Sequence, residues 1–187
     1  MPITPLHMGP GMLIKAVLQG FFSLIIFCWA QLLMDIQPIL VVLSGKGHLH
    51  GFSHTYIGAT CIAIFSALTG KWIYQAIMIF IKNDFTEYQK LLFDVPKYLT
   101  LRVCVISAFI GTYSHVLLDS IMHADVEPFY PFNLDNNINL IISIESLHKL
   151  CIYTGLLGLI IFFVIRVVKL NPKLKSSALF KILFRNK

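Results

Sequence analysis

The chain has 187 residues, 57% of them hydrophobic and only 13% charged, with a formal net charge of +6. Soluble domains carry about 25% charged residues, so this composition, with a mean hydropathy of +0.76, excludes an ordinary soluble globular domain. The length suits one compact membrane domain without a separate soluble one, and the N-terminus has neither the basic stretch nor the small-residue cleavage site of a removable signal peptide.

A helix needs about 20 apolar residues to cross the hydrocarbon core. The first candidate, 12–34, is long enough, yet Lys15, Gln19, Gly20 and Ser23 interrupt its first half, and only "FFSLIIFCWAQLLM" (21–34) is continuously apolar. "MGPG" (8–11) reads as a turn before it, and "DIQP" (35–38) stops it, because Pro38 disfavours helix at Gln37. The stretch is therefore either one span or a hairpin of two short helices that turns near Gln19-Gly20. The polar interruptions favour the hairpin.

Stretches 55–80, 99–119 and 147–168 each qualify as spans. Lys71 in the first suggests a crossing that ends near Gly70, followed by an interfacial helix. The expected fold is all-α: a polytopic helical membrane bundle over 1–170, with three clear transmembrane helices plus an N-terminal hairpin or fourth span. Residues 171–187 form a basic tail.

The connecting segments divide by charge. Loop 82–98 holds Lys82, Lys90 and Lys97, while loop 120–146 has no Lys or Arg, and loop 36–53 has only Lys46. The positive-inside rule places 82–98 and the tail in the cytoplasm and the other two loops outside. A basic tail beside a span points to anionic membrane lipid as its partner rather than to nucleic acid. Cys28, Cys61, Cys104 and Cys151 all lie in apolar runs without a CxxC spacing, as buried small hydrophobes do.

Six ionisable residues fall on the predicted outer side: Asp35 at the end of one apolar run, His50 and His54 before the next, and His115, Asp119 and His123 at the end of a third. Charge near the bilayer is costly, so it is normally paired, coordinated or wet. His50 and His54 are four apart, and His115, Asp119 and His123 repeat that step, which on helices would align each set on one face. Imidazole and carboxylate are the ligands of zinc and related divalent ions, and six groups suffice for one or two ions. Asp125 and Glu127 read as acceptors behind ligand imidazoles or as a solvated turn. His48 reads as a loop residue and His148 as interfacial. No GxSxG, Walker, GxGxxG or HExxH motif is present.

"TPLHMGPG", "MDIQP", "HGFSHTYIGA" and "HVLLDSIMH", in that order, resemble the motifs of the bacterial inner-membrane-associated, membrane-bound metal-dependent hydrolases, over about residues 1–132. There is a looser likeness to zinc-dependent phospholipases C. The resemblance implies His7, Asp35, His50 or His54, His115, Asp119 and His123 as ligands. The chain departs from the pattern in two places: His7 follows Pro5-Leu6 rather than Thr directly, and Gln37 stands where an acidic residue is common.

The reading reached is a metal-dependent hydrolase of the bacterial inner membrane, its site outside and its C-terminus cytoplasmic. Metal-activated water would attack an amphiphilic phosphodiester or ester, a small or lipid-like substrate. Zinc is the expected metal, in one or two ions. Asp35, His54, His115 and Asp119 are the leading ligands, followed by His50, His123 and His7, and Asp35 or Asp125 is the general base. The alternative is a non-catalytic membrane protein that binds or transports a metal ion. One geometric condition attaches to His7: an unbroken helix over 12–34 would be about 33 Å long and hold His7 and Asp35 on opposite membrane faces, whereas the hairpin brings them together.

Overall fold

The computed structural model describes residues 4–81 and 84–171, with the side chains of residues 4 and 5 left aside. Among them are seven α-helices and no strand: α1 (Thr4–Leu18), α2 (Leu24–Met34), α3 (Ile36–Ser44), α4 (Tyr56–Ile81), α5 (Glu87–Leu92), α6 (Leu101–Met122) and α7 (Ile144–Leu170). Four segments, Leu24–Ser44, Tyr56–Ile81, Leu101–Met122 and Ile144–Leu170, are long and apolar enough to cross a membrane. The protein is a helical membrane bundle. Most of the expected basic tail, from residue 172 on, lies outside the described residues, as do positions 82 and 83.

The N-terminal segment is the hairpin. Helix α1 ends at Leu18, a short 3-10 turn covers Gln19–Phe21, and α2 starts after Ser23. Gln19, not Gly20, takes the left-handed conformation (φ 50°), unusual for a residue with a Cβ, and its side-chain amide donates to the Ala16 carbonyl at 2.6 Å. A turn at this depth is tolerated only if its backbone groups find partners. The Ser23 N–H donates to Ser107 Oγ at 2.8 Å. Lys15 Nζ donates to the carbonyls of Gln19 and Phe22, both at 2.9 Å, and to Asp94 Oδ2 at 2.6 Å. Asp94 also pairs with Arg166 Nη1 at 3.0 Å. The lysine that interrupts the apolar pattern is therefore the clasp that holds the turn.

Three expectations are corrected here. "MGPG" is not a turn but lies within α1, which lies against α7 through glycines of both helices: a Cβ on Gly9 of α1 would sit 1.9 Å from the Cys151 carbonyl oxygen, and one on Gly158 of α7 would sit 2.4 Å from the Leu13 nitrogen. Small residues at a membrane-helix crossing permit this approach. Helix α2 does end at "DIQP", with a break at Asp35, but not for the expected reason. Gln37 and Pro38 are helical, in the first turn of α3, where a missing N–H has no intrahelical partner to lose, and α3 runs on to Ser44. And α4 runs unbroken through Lys71 to Ile81: Lys71 lies on the exposed flank, where a long charged side chain can snorkel without breaking the helix.

Helices α2, α4 and α6 form the centre of the bundle. Ile26, Ala30, Ala63, Ala67, Cys104 and Ala108 pack there, and Met34, Ala59 and Val116 continue the core toward one end. At that end the Tyr56 N–H donates to the Pro128 carbonyl at 2.9 Å, so the 45–55 and 123–143 connections share it. The opposite end gathers the hairpin turn, the segment around Asp94 and the C-terminal part of α7 through the Lys15–Asp94–Arg166 cluster. His7, Asp35, His54 and the last turns of α6 all reach the first end.

Candidate metal centre

The last two turns of α6 supply the middle of the site. His115 and Asp119 share a helix face, as four-residue spacing requires, and both are fully buried. His115 Nε2 lies 3.2 Å from Asp119 Oδ2 and 3.4 Å from Asp35 Oδ1. From the segment before α4, His54 brings Nε2 to 3.1 Å from the same Asp119 Oδ2. From α1, His7 brings Nε2 to 3.6 Å from Asp119 Oδ1. The imidazoles of His7 and His54 each stand 5.1 Å from that of His115, centre to centre. The hairpin has done what His7 needed: one of its ends reaches Asp119 through His7 and the other reaches His115 through Asp35.

His50 and His54 are adjacent, with ring centres 5.0 Å apart, but not through a shared helix face. His50 lies in a turn and His54 ends a 3-10 turn, Phe52–His54. Helix begins only after Thr55, whose hydroxyl accepts from the Gly58 N–H at 2.9 Å and so caps α4. His123 likewise lies outside α6, as its C-cap in extended conformation (φ −124°, ψ 122°). It leaves the face of His115 and Asp119 and stacks on His50, with ring centres 4.4 Å apart. Only His115 and Asp119 share a helix face; His50, His54 and His123 come together because the chain leaves the helix at each of them.

Behind the rings stands a set of fixed acceptors. Gln31 Oε1 makes a short hydrogen bond with His115 Nδ1, and the Gln31 amide is in turn held by donation to the Gly111 carbonyl at 3.2 Å. Ser53 Oγ lies 2.9 Å from His54 Nδ1 and donates to the Met34 carbonyl at 3.3 Å. Asp125 Oδ2 lies 2.9 Å from His50 Nδ1. Of the two readings of Asp125, the structure supports the acceptor behind an imidazole. Occupying Nδ1 in this way fixes the tautomer and aims Nε2. Gln31 and Ser53 were not singled out from the sequence. The available signal was that a glutamine within an apolar run must find a buried partner.

Desolvation works against ionisation of Asp125, but the His50 hydrogen bond and charge outweigh it and hold its carboxyl below the ordinary value. Burial pushes the imidazoles of His54 and His123 below theirs, which favours the neutral form that ligates metal.

Although these nitrogens and oxygens crowd together, they do not hydrogen-bond. His7 Nε2, His50 Nε2, His54 Nε2, His115 Nε2, His123 Nε2 and both Asp119 oxygens are buried without a hydrogen-bond partner. A ring N–H that served Asp119 would point along the N···O line; here the separations are short but the directions miss. Buried polar atoms are rarely left so, and a converging set of imidazole nitrogens around a carboxylate is what a divalent cation satisfies. Four overlapping ligand groups arise: His7–His115–Asp119, Asp35–His54–His115, His50–His54–Asp119 and His50–His123–Asp125. Asp119 belongs to two of them, facing His7 with one oxygen and His54 and His115 with the other. These residues fit a metal.

If Gln31 orients His115 for metal, Gln31→Leu should weaken zinc binding by about 10–100-fold, the usual cost of losing such a supporting bond. Zinc titration against a competing chelator checks this; an affinity equal to wild type would remove Gln31 from the site.

A family described as Domain of unknown function (DUF4184) matches residues 43–184. The match takes in His50, His54, His115, Asp119, His123 and Asp125, while His7 and Asp35 precede it. No curated protein and no solved structure matches the chain.

Proposed function

We infer the function of this chain, which belongs to the DUF4184 family, from its site: a metal-dependent hydrolase at the membrane surface that cleaves an amphiphilic phosphodiester or ester. The observation that carries the reading is the convergence of buried imidazole nitrogens without hydrogen-bond partners on the two oxygens of Asp119. His7, His115 and Asp119 would hold one ion, and His50, His54 and Asp119 a second beside it, with Asp119 common to both. A divalent ion at such a site polarises a carbonyl or phosphoryl oxygen and brings the pKa of bound water toward about 7.

The chain's own residues divide the remaining work. Gln31, Ser53 and Asp125 hold the rings in place. Asp35 stands at the margin of the cluster beside His115, placed to accept a proton from an attacking water. Asp125, engaged with His50, holds that ring rather than taking the proton. The position of the cluster supports hydrolysis over ion transport. It sits at one end of the bundle, and toward the other end Met34, Ala59, Val116, Ile26, Ala30 and Ala63 close the interior.

The test is elemental analysis of protein purified without chelator, followed by a panel of phosphodiesters and esters in detergent. Zinc near stoichiometric and hydrolysis abolished by chelator are expected; a preparation without stoichiometric metal would overturn the reading.

The charge asymmetry of the loops supports an inner-membrane location with the site outside and the C-terminus in the cytoplasm. A single cysteine placed at position 130 should be labelled by a membrane-impermeant maleimide on intact cells. Protection at 130 with labelling at a cysteine placed at 97 would reverse the orientation.

A further inference from the structure

A groove of about 390 Å³ runs between α3 and α4 on the flank of the bundle, walled by Leu33, Ile36, Leu40, Cys61, Ile62 and Phe65. Its size falls within the range of about 300–1,000 Å³ typical of small-ligand sites. Ile36, Leu40, Cys61 and Phe65 are exposed there, so the groove opens sideways, toward hydrocarbon in a chain that spans a membrane. Its only polar lining residues are Gln37 and Ser53. These two are joined, the Ser53 N–H donating to Gln37 Oε1 at 2.8 Å, and Ser53 is the residue whose hydroxyl meets His54 Nδ1.

The groove therefore has an apolar length and a polar end, and the polar end abuts the candidate metal centre. Its α4 wall runs from Cys61 to Phe65, about 6 Å of helix, and the facing wall from Leu33 to Leu40, about 10 Å. Its lining carries no charge. A peptide would leave backbone groups unpaired in such a place, and a headgroup would find no partner along its length. An alkyl chain has neither difficulty, and its polar terminus would arrive beside His54. Helix α3 forms the outer wall, which explains why an apolar helix leaves the bundle just after Asp35.

We propose that the groove between α3 and α4 holds one acyl chain of a membrane amphiphile, reached laterally from the bilayer, with the bond to be cleaved presented to the His/Asp cluster. This inference rests on the hydrolase reading for the role of the bound chain.

The probe is a phosphatidylglycerol bearing a diazirine midway along one acyl chain, doped into phosphatidylcholine nanodiscs that contain the full chain. Irradiation and peptide mass spectrometry should place the label mainly on Ile36, Leu40 and Phe65. Cys61→Trp and Leu40→Trp, both at exposed positions, should each reduce that labelling by about tenfold, a change of about 1.4 kcal/mol, with zinc content unchanged. Labelling spread evenly over the groove and the exposed face of α7, at Leu156 and Ile160 for example, would overturn the proposal, as would labelling that neither tryptophan alters. Groove labelling in protein that binds no metal would support the chain site while overturning the hydrolase reading.

Discussion

Asp119→Ala should bind zinc more weakly than wild type by well over the about 10–100-fold that follows loss of a supporting hydrogen bond, and its chelator-sensitive hydrolysis should fall to background. The reason lies in the two oxygens. One faces His7, the other faces His54 and His115, so this carboxylate is the anionic group common to the three rings. Asp119→Asn keeps the shape and removes the charge. It should be about as metal-poor as the alanine variant while eluting and melting like folded protein, which separates loss of the site from loss of the fold. Wild-type zinc content and hydrolysis in both variants would place the centre elsewhere.

At the other end of the bundle, Asp94→Ala should lower the free energy of unfolding by about 3–5 kcal/mol, the usual cost of removing one partner from a buried ion pair. Lys15 and Arg166 are 8% and 12% exposed at their side chains and meet on the two oxygens of Asp94, itself 18% exposed. Without it two cations are left facing each other in a poorly hydrated place. Asp94 also sits at φ 55°, which alanine tolerates less well than Asp or Asn, so Asp94→Asn should cost less. Adding Arg166→Met to Asp94→Ala should restore part of the loss, because Lys15 then faces no second cation and keeps its carbonyl partners at Gln19 and Phe22. Thermal unfolding in detergent reads all three; an Asp94→Ala protein as stable as wild type would show the cluster to be solvated.

Much of this was legible in the sequence for a common reason: polar residues in an apolar chain must be accounted for. Lys15 and Gln19 marked the hairpin because a spanning helix would strand them, and they now hold its turn. Asp35, His54, His115 and Asp119 were visible on the same ground, and their gathering required only the alternation of spans. What stayed hidden was of two kinds. Partners far apart in sequence, such as Lys15 with Asp94 and Arg166, or Gln31 with His115, depend on helix rotation and depth, which periodicity in a chain apolar on most faces does not report. Local backbone was the other kind. Pro38 and the glycines of "MGPG" signal breaks in water, but inside a bundle close packing and first-turn positions absorb them. His50, His54 and His123 escaped the helical-face argument because the ends of α4 and α6 fell just short of them.

The hairpin also bears on how the molecule is assembled. Helices α1 and α2 have 15 and 11 residues, about 22 and 16 Å, so neither reaches across a bilayer alone. Their turn is stabilised by Ser107, Asp94 and, through Asp94, Arg166, and α1 lies along α7 with Gly9 against Cys151 and Gly155. A ribosome releases these partners only after the hairpin has left it. The first element made is therefore among the last to be fully housed, and His7 joins the cluster late. Metal capture would in that sense record completed insertion: His7 meets His115 and Asp119 only when the hairpin is seated against α7.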